Sequence, residues 1–233
     1  MKNLYIGALL FMLGGVSSAS ASISLSATRL IYNQNDSEVS INATNDGEQD
    51  VLIQSWLEAV DNSAPPFAIT PPLAKISGKE RQVLRVFYQG DGLPQDRESV
   101  FWLNVQEIPK ASTSKNAIQL AVLQRIKLFY RPAALSGDAR SAPLNVHGYL
   151  GGGRLELSNT TPYHINLVSV QQGSNVVKGV MIAPHDVINL DARAFKNNGL
   201  VTLKVVNDYG AVHAIKGSFK SGKLGDLKFL KGE

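Results

Sequence analysis

Turn residues interrupt this chain too often for long helices. Gly (20) and Pro (10) are spread through 233 residues. They fall into clusters with Asn, Asp and Ser: Asn45-Asp46-Gly47, Asp61-Asn62-Ser63, Ser77-Gly78, Gln89-Gly90-Asp91-Gly92, Gly151-Gly152-Gly153 and Asn197-Asn198-Gly199. No segment after residue 22 keeps an apolar period near 3.6 over about three turns. Between the clusters lie short runs of branched and aromatic residues, such as residues 51–57 and 82–88, while residues 201–205 alternate apolar with polar. Short strands joined by tight turns predict an all-β chain of antiparallel sandwiches. At 44% hydrophobic and 18% charged residues, the composition can supply packed cores.

Residues 131–138, Arg131-Pro132-Ala133-Ala134-Leu135-Ser136-Gly137-Asp138, break the strand pattern. A boundary there gives domains at 22–135 and 136–233, each of immunoglobulin size. No repeat is visible between the two halves. Ahead of them, Lys2 is followed by an uncharged apolar run at 4–16 and then Ser17-Ser18-Ala19-Ser20-Ala21. This order of positive, apolar and small residues predicts a signal peptide at 1–21, cleaved after Ala21 to leave Ser22 first. No later stretch approaches the roughly 20 apolar residues that cross a bilayer as a helix, so an exported protein that does not span the membrane is expected.

Several chemistries are excluded. Without Cys there are no disulfides, thiolate metal sites or cysteine nucleophiles. A net charge of +4 is too small and too dispersed to argue for a nucleic-acid partner. The G-x-S-x-G, H-E-x-x-H and G-x-G-x-x-G motifs are missing. His147, His164, His185 and His213 lack metal-ligand spacing and are expected to be ordinary surface or packed histidines. Residues 217–223 approach a P-loop, but Leu224 stands where the Mg²⁺-binding hydroxyl belongs, so no nucleotide site is expected. Asn159-Thr160-Thr161 matches a glycosylation sequon, a pattern common by chance. The expectation is a protein that is not an enzyme and has no cofactor or metal.

Residues 116–130 contain neither Gly nor Pro. As one strand of about 15 residues it would reach ~50 Å, against a usual length of 5–6 residues. Its even positions Ile118, Leu120, Val122, Ile126 and Leu128 form an apolar row. Either the row faces the core of its own domain, or part of it overhangs and is offered to another chain, because natural proteins blunt edges that have no partner.

Leu93-Pro94-Gln95-Asp96-Arg97-Glu98-Ser99-Val100-Phe101-Trp102-Leu103-Asn104-Val105-Gln106-Glu107-Ile108-Pro109 resembles the signature segment of the periplasmic pilus (fimbrial) chaperones, the PapD-like family. Arg125-Ile126-Lys127-Leu128-Phe129-Tyr130-Arg131-Pro132 is similar to the strand end that follows it there. Thr28-Arg29 and Asn207-Asp208-Tyr209-Gly210 match further motifs, and the resemblance runs from about Ile23 to about Phe219.

The resemblance implies two immunoglobulin-like β-sandwich domains set at an angle with a cleft between them. It implies that Arg29 and Lys127 hold the C-terminal carboxylate of a pilin subunit. It assigns Ile118, Leu120 and Val122 to a donor strand that completes the pilin fold, a form of β-augmentation. Lys127 has the opposite parity to that row, so twist or a bulge is expected to reconcile them. Glu98, Arg131 and Asp208 match interdomain ion pairs. The short connection from Pro109 to Asn116 is similar to the short-loop subtype associated with rod-like pili. Some members carry a disulfide in the second domain, which this chain cannot form. The implied partners are pilin subunits and an outer-membrane usher, and the implied compartment is the periplasm. The competing class is a secreted structural or adhesive immunoglobulin-like binding module. A pilin of that class would be shorter, with an alternating N-terminal extension and usually a Cys pair.

Overall fold

The computed structural model describes residues 22–61, 63–90, 92–108 and 120–230. The signal-peptide segment 1–21 and the connection 109–116 lie outside the described residues. Nine strands build the first half: β1 Ile23–Leu25, β2 Arg29–Asn33, β3 Val39–Asn45, β4 Val51–Ala59, β5 Phe67–Thr70, β6 Leu73–Ile76, β7 Arg81–Tyr88, β8 Ser99–Ile108 and β9 Leu123–Arg131. They form a sandwich of a four-stranded sheet, β1-β3-β7-β5, and a five-stranded sheet, β2-β9-β8-β4-β6. The first two strands belong to different layers. β1 pairs antiparallel with β3, whereas β2 crosses over and pairs parallel with β9.

Alternation places one residue in two inside. On β9 the even residues Leu128 and Tyr130 are buried in the core with Leu30, Tyr32, Leu84 and Leu103, and Ile126 packs against it. Tyr32, Phe67, Tyr88, Phe101 and Tyr130 fill one end, with contacting ring centroids between 4.6 and 6.3 Å. Such aromatic contacts add to the area they bury.

The second half contains β10 Val146–Gly151, β11 Arg154–Asn159, β12 Ile165–Gln172, β13 Asn175–Lys178, β14 Met181–Ile182, β15 Val187–Asp191, β16 Gly199–Val206, β17 Val212–Lys220 and β18 Lys223–Phe229. Its two layers are hydrogen-bonded into one sheet, β13-β12-β16-β17-β18-β10-β11-β15 with β14 beside β12. They join through the Tyr149–Lys223 pair. The core is mainly aliphatic, centred on Leu150, Leu155, Leu157, Ile165, Leu203 and Ile215, with Phe219 buried among them. The P-loop-like residues are the β17–β18 hairpin, which turns at Ser221 and Gly222 with φ of 51° and 80°. Left-handed conformation at both turn residues matches strand twist in a two-residue hairpin.

Two asparagines without charge close the ends of their strands in the same manner. Asn45 Nδ2 donates to the carbonyls of Gln49 and Ile76, and Asn159 Nδ2 donates to those of Tyr163 and Ala183. Both side chains are fully buried, so Asn159 is a structural amide and not an exposed glycan acceptor.

Candidate functional site

The continuous 15-residue strand expected at 116–130 does not form among the described residues. β9 starts at Leu123, opposite Gln106, and residues 120–122 are not in a strand. β8 runs on past Gln106 to Ile108, but its ladder with β9 stops at the Gln106–Leu123 pair. One bond from Glu107 N–H to the Val122 carbonyl (3.0 Å) continues the contact past the strand end. On its other side, β9 pairs with β2 only from Lys127 to Arg131. Among the described residues no strand covers that side from Leu123 to Ile126, because β1 has crossed to the other sheet. The sequence expectation of an edge on offer therefore has a location, just ahead of Lys127.

The apolar row divides at this point. Leu128 is in the core, whereas Leu120 is 72% exposed and Val122 is partly buried. Ile118 lies outside the described residues. Of the two expected means of reconciliation, twist or a bulge, no bulge occurs in the described strand: pairing runs unbroken from Ser99–Tyr130 to Gln106–Leu123. Lys127 consequently stays on the face opposite to Ile126 and Leu128, with Arg125 and Phe129 on its own side.

Parallel pairing sets Arg29 directly beside Lys127. Both side chains are half-buried. Among the described residues neither has a carboxylate at ion-pair distance, and Arg29 Nε is buried without a hydrogen-bond partner. Lys127 Nζ donates to Asn166 Oδ1 (2.9 Å), which β12 brings from the second domain. Burial, then the adjacent Arg29 charge, pulls the Lys127 pKa below the ordinary lysine value. Burial also lowers that of Arg29, with the Asp208 charge opposing. Two neighbouring cations held partly out of water, without a counter-ion, form a site suited to an anion.

A second cluster joins the domains. Arg131 Nε donates to Glu98 Oε1 (2.7 Å), and its two terminal nitrogens donate to both oxygens of Asp208 (2.7 and 2.8 Å). Burial works against the Arg131 charge, but hydrogen bonds and charges from Asp208 and Glu98 outweigh it and raise the guanidinium pKa. Glu98 Oε2 accepts from the His164 backbone N–H (2.8 Å) and lies 2.8 Å from His164 Nδ1. A carboxylate only accepts, so Nδ1 carries the proton. The turn between β16 and β17 completes the contact. Gly210 has φ of +86°, and a Cβ there would lie 2.3 Å from Thr28 Oγ1, so only glycine allows this approach. Glu98, Arg131, His164 and Asp208, with Phe129, Asn166 and Tyr209, line an interdomain cleft of about 450 Å³.

Residues 22–136 match the family described as "Pili and flagellar-assembly chaperone, PapD N-terminal domain", and residues 141–216 match "Pili assembly chaperone PapD, C-terminal domain". The chain belongs to the PapD-like family of pilus-assembly chaperones. Chaperone protein FocC of Escherichia coli is 37% identical over 207 residues, covering 86% of this chain and 91% of the relative. The crystal structure of the YadV chaperone superposes with a TM-score of 0.73 at 35% identity, covering 85% of this chain and 98% of that one. A Salmonella enterica SafA pilin in complex with the SafB chaperone gives 0.77 at 26% identity, covering 86% and 97%.

Two cleft residues of this chaperone carry no sequence signal. His164 counted among scattered histidines, and its packed environment appears only when Glu98, 66 residues away, folds against it. Asn166 matches no motif and lies 39 residues from the lysine that it contacts. No helix among the described residues is long and apolar enough to cross a membrane.

Proposed function

We infer that this protein is a periplasmic chaperone that binds pilin subunits, completes their fold with its own strand and passes them to an outer-membrane usher. It works as a binding protein, without catalysis, cofactor or nucleotide. The observation that carries the site reading is the pairing of Arg29 with Lys127, two half-buried cations that have no counter-ion among the described residues, beside an edge of β9 that no described strand covers. A subunit's terminal carboxylate would fix the register by accepting from both cations, and the strand it ends would pair along that edge. Leu120 and Val122, with Ile118 beyond the described residues, would then fill the groove of the incomplete subunit. Replacement by the next subunit's N-terminal extension releases the cargo without ATP. The brevity of the 109–116 connection supports a short-loop chaperone, and the break in strand pattern at 131–138 supports a second domain beginning at residue 136.

Co-expression with a pilin and recovery of the complex from periplasm tests this reading. Leu120→Ser in that assay is expected to leave the melting temperature of the free chaperone unchanged, because the side chain is already in water. The yield of complex should fall steeply, since burying such a side chain in a partner is worth about 1.5–3 kcal/mol. A large drop in melting temperature, or an undiminished yield, would remove Leu120 from the donor row.

The site also has a pH signature. Because the folded state lowers the Lys127 pKa, the unfolded chain binds more protons between that value and the ordinary 10.5, and stability rises with pH across the window. Carboxylate binding runs the other way, because deprotonation removes the ammonium. Affinity for a strand-length peptide with a free C-terminal carboxylate should begin to decline below pH 10.5, while that for its C-terminal amide stays flat. Calorimetric titration across alkaline pH would measure both, and parallel declines would argue against the anchor.

A further inference from the structure

The oxygen that Lys127 meets is uncharged. A lysine ammonium has three donors and no acceptor, so the Asn166 amide must turn its oxygen toward Nζ, as found at 2.9 Å. Asn166 is rigidly placed. Its strand is paired on both sides, with Met181 of β14 and Val206 of β16 as its register partners. It lines the interdomain cleft, and it belongs to the second domain while Arg29 and Lys127 belong to the first.

We propose that Asn166 is the positioning residue of the carboxylate site: its neutral oxygen fixes the Lys127 ammonium beside Arg29 without cancelling its charge. The proposal rests on Arg29 and Lys127 being the carboxylate anchor. A carboxylate at position 166 would hold the ammonium at least as firmly, but it would form an ion pair with Lys127. An incoming carboxylate would then meet one cation fewer and a like charge beside it. An apolar side chain would leave the half-buried ammonium free to rotate toward water, away from Arg29. A neutral acceptor orients the lysine and leaves both positive charges available to the ligand. Because it comes from the opposite domain, the anchor is complete only while the Glu98–Arg131–Asp208 cluster holds the two domains together.

The test compares two probes on the full exported chain. One is a strand-length peptide of alternating apolar and polar residues with a free C-terminal carboxylate, and the other is its C-terminal amide. The ratio of their affinities isolates the carboxylate from the strand. The wild type is expected to prefer the free acid by about tenfold or more, the scale of a charge-assisted hydrogen bond. Asn166→Asp should erase the preference, Asn166→Ala should reduce it by roughly threefold or more, and Asn166→Gln, which keeps a neutral carbonyl, should recover part of it. Affinity for the amide should be the same in all four proteins, which a merely structural role of Asn166 would not produce. If Asn166→Asp fails to fold, the Ala and Gln ratios decide. A wild-type ratio in Asn166→Ala or Asn166→Asp overturns the proposal. If the wild type does not prefer the acid, or Arg29→Ala keeps the preference, the anchor itself is misassigned and the role of Asn166 falls with it.

Discussion

Glu98→Ala is expected to cost about 3–5 kcal/mol of stability, because it strands buried donors on both sides of the domain boundary. Glu98 is 3% exposed. It accepts from Arg131 Nε, from the His164 backbone N–H and from the His164 ring. Alanine leaves all three donors without that acceptor. Arg131→Ala should be comparably harmful, since it leaves the Glu98 carboxylate buried without its cation. Asp208→Ala should be milder, about 1–2 kcal/mol, because the Asp208 side chain is 40% exposed and water can replace it. Urea denaturation of the three purified variants would show this order. Equal losses for Glu98→Ala and Asp208→Ala would mean that exposure does not rank the two carboxylates, and no loss for Glu98→Ala would mean that the cluster does not share one buried site.

Lys127→Ala and Arg29→Ala should have the opposite profile. Each cation sits half-buried next to a like charge, and burial is the first influence on both. Removing one relieves that desolvation and repulsion, so stability should hold or rise. Capture of a subunit should fall at least tenfold for each variant, the loss of one charge-assisted hydrogen bond of about 1.5–3 kcal/mol. The double variant should lose less than the sum of the two, because both cations serve one carboxylate. Thermal melts combined with recovery of chaperone–pilin complex from periplasm measure both quantities. Normal recovery with the double variant at wild-type expression would refute the anchor.

Much of this was legible in the chain. Turn clusters such as Asn197-Asn198-Gly199 and alternating runs such as residues 201–205 marked strands, because a strand's two-residue period and a turn's need for Gly or Asn are local properties. Arg29, Glu98, Lys127, Arg131 and Asp208 stood out through the motifs that they share with a known family, not through any pattern of charge. The extent of the long strand was misjudged for a physical reason. Residues 116–130 have strand-like composition throughout, but pairing depends on where the ladder with β8 stops and where β1 changes sheets, and neither is written in those residues.

The sequence by itself determined the all-β class, several of the strands and the alternating apolar row that β9 carries. Tertiary structure alone decided which outward residues meet. Asn45 and Asn159 perform one task in two halves that show no sequence repeat, because the task is defined by the carbonyls that surround each amide. Asp208 reaches Arg131 across 77 residues and Asn166 reaches Lys127 across 39. Such contacts leave no periodic trace along a chain, since they depend on the packing of two separately folded sandwiches. Only that packing brings a neutral amide oxygen to the Lys127 ammonium where it lies beside Arg29.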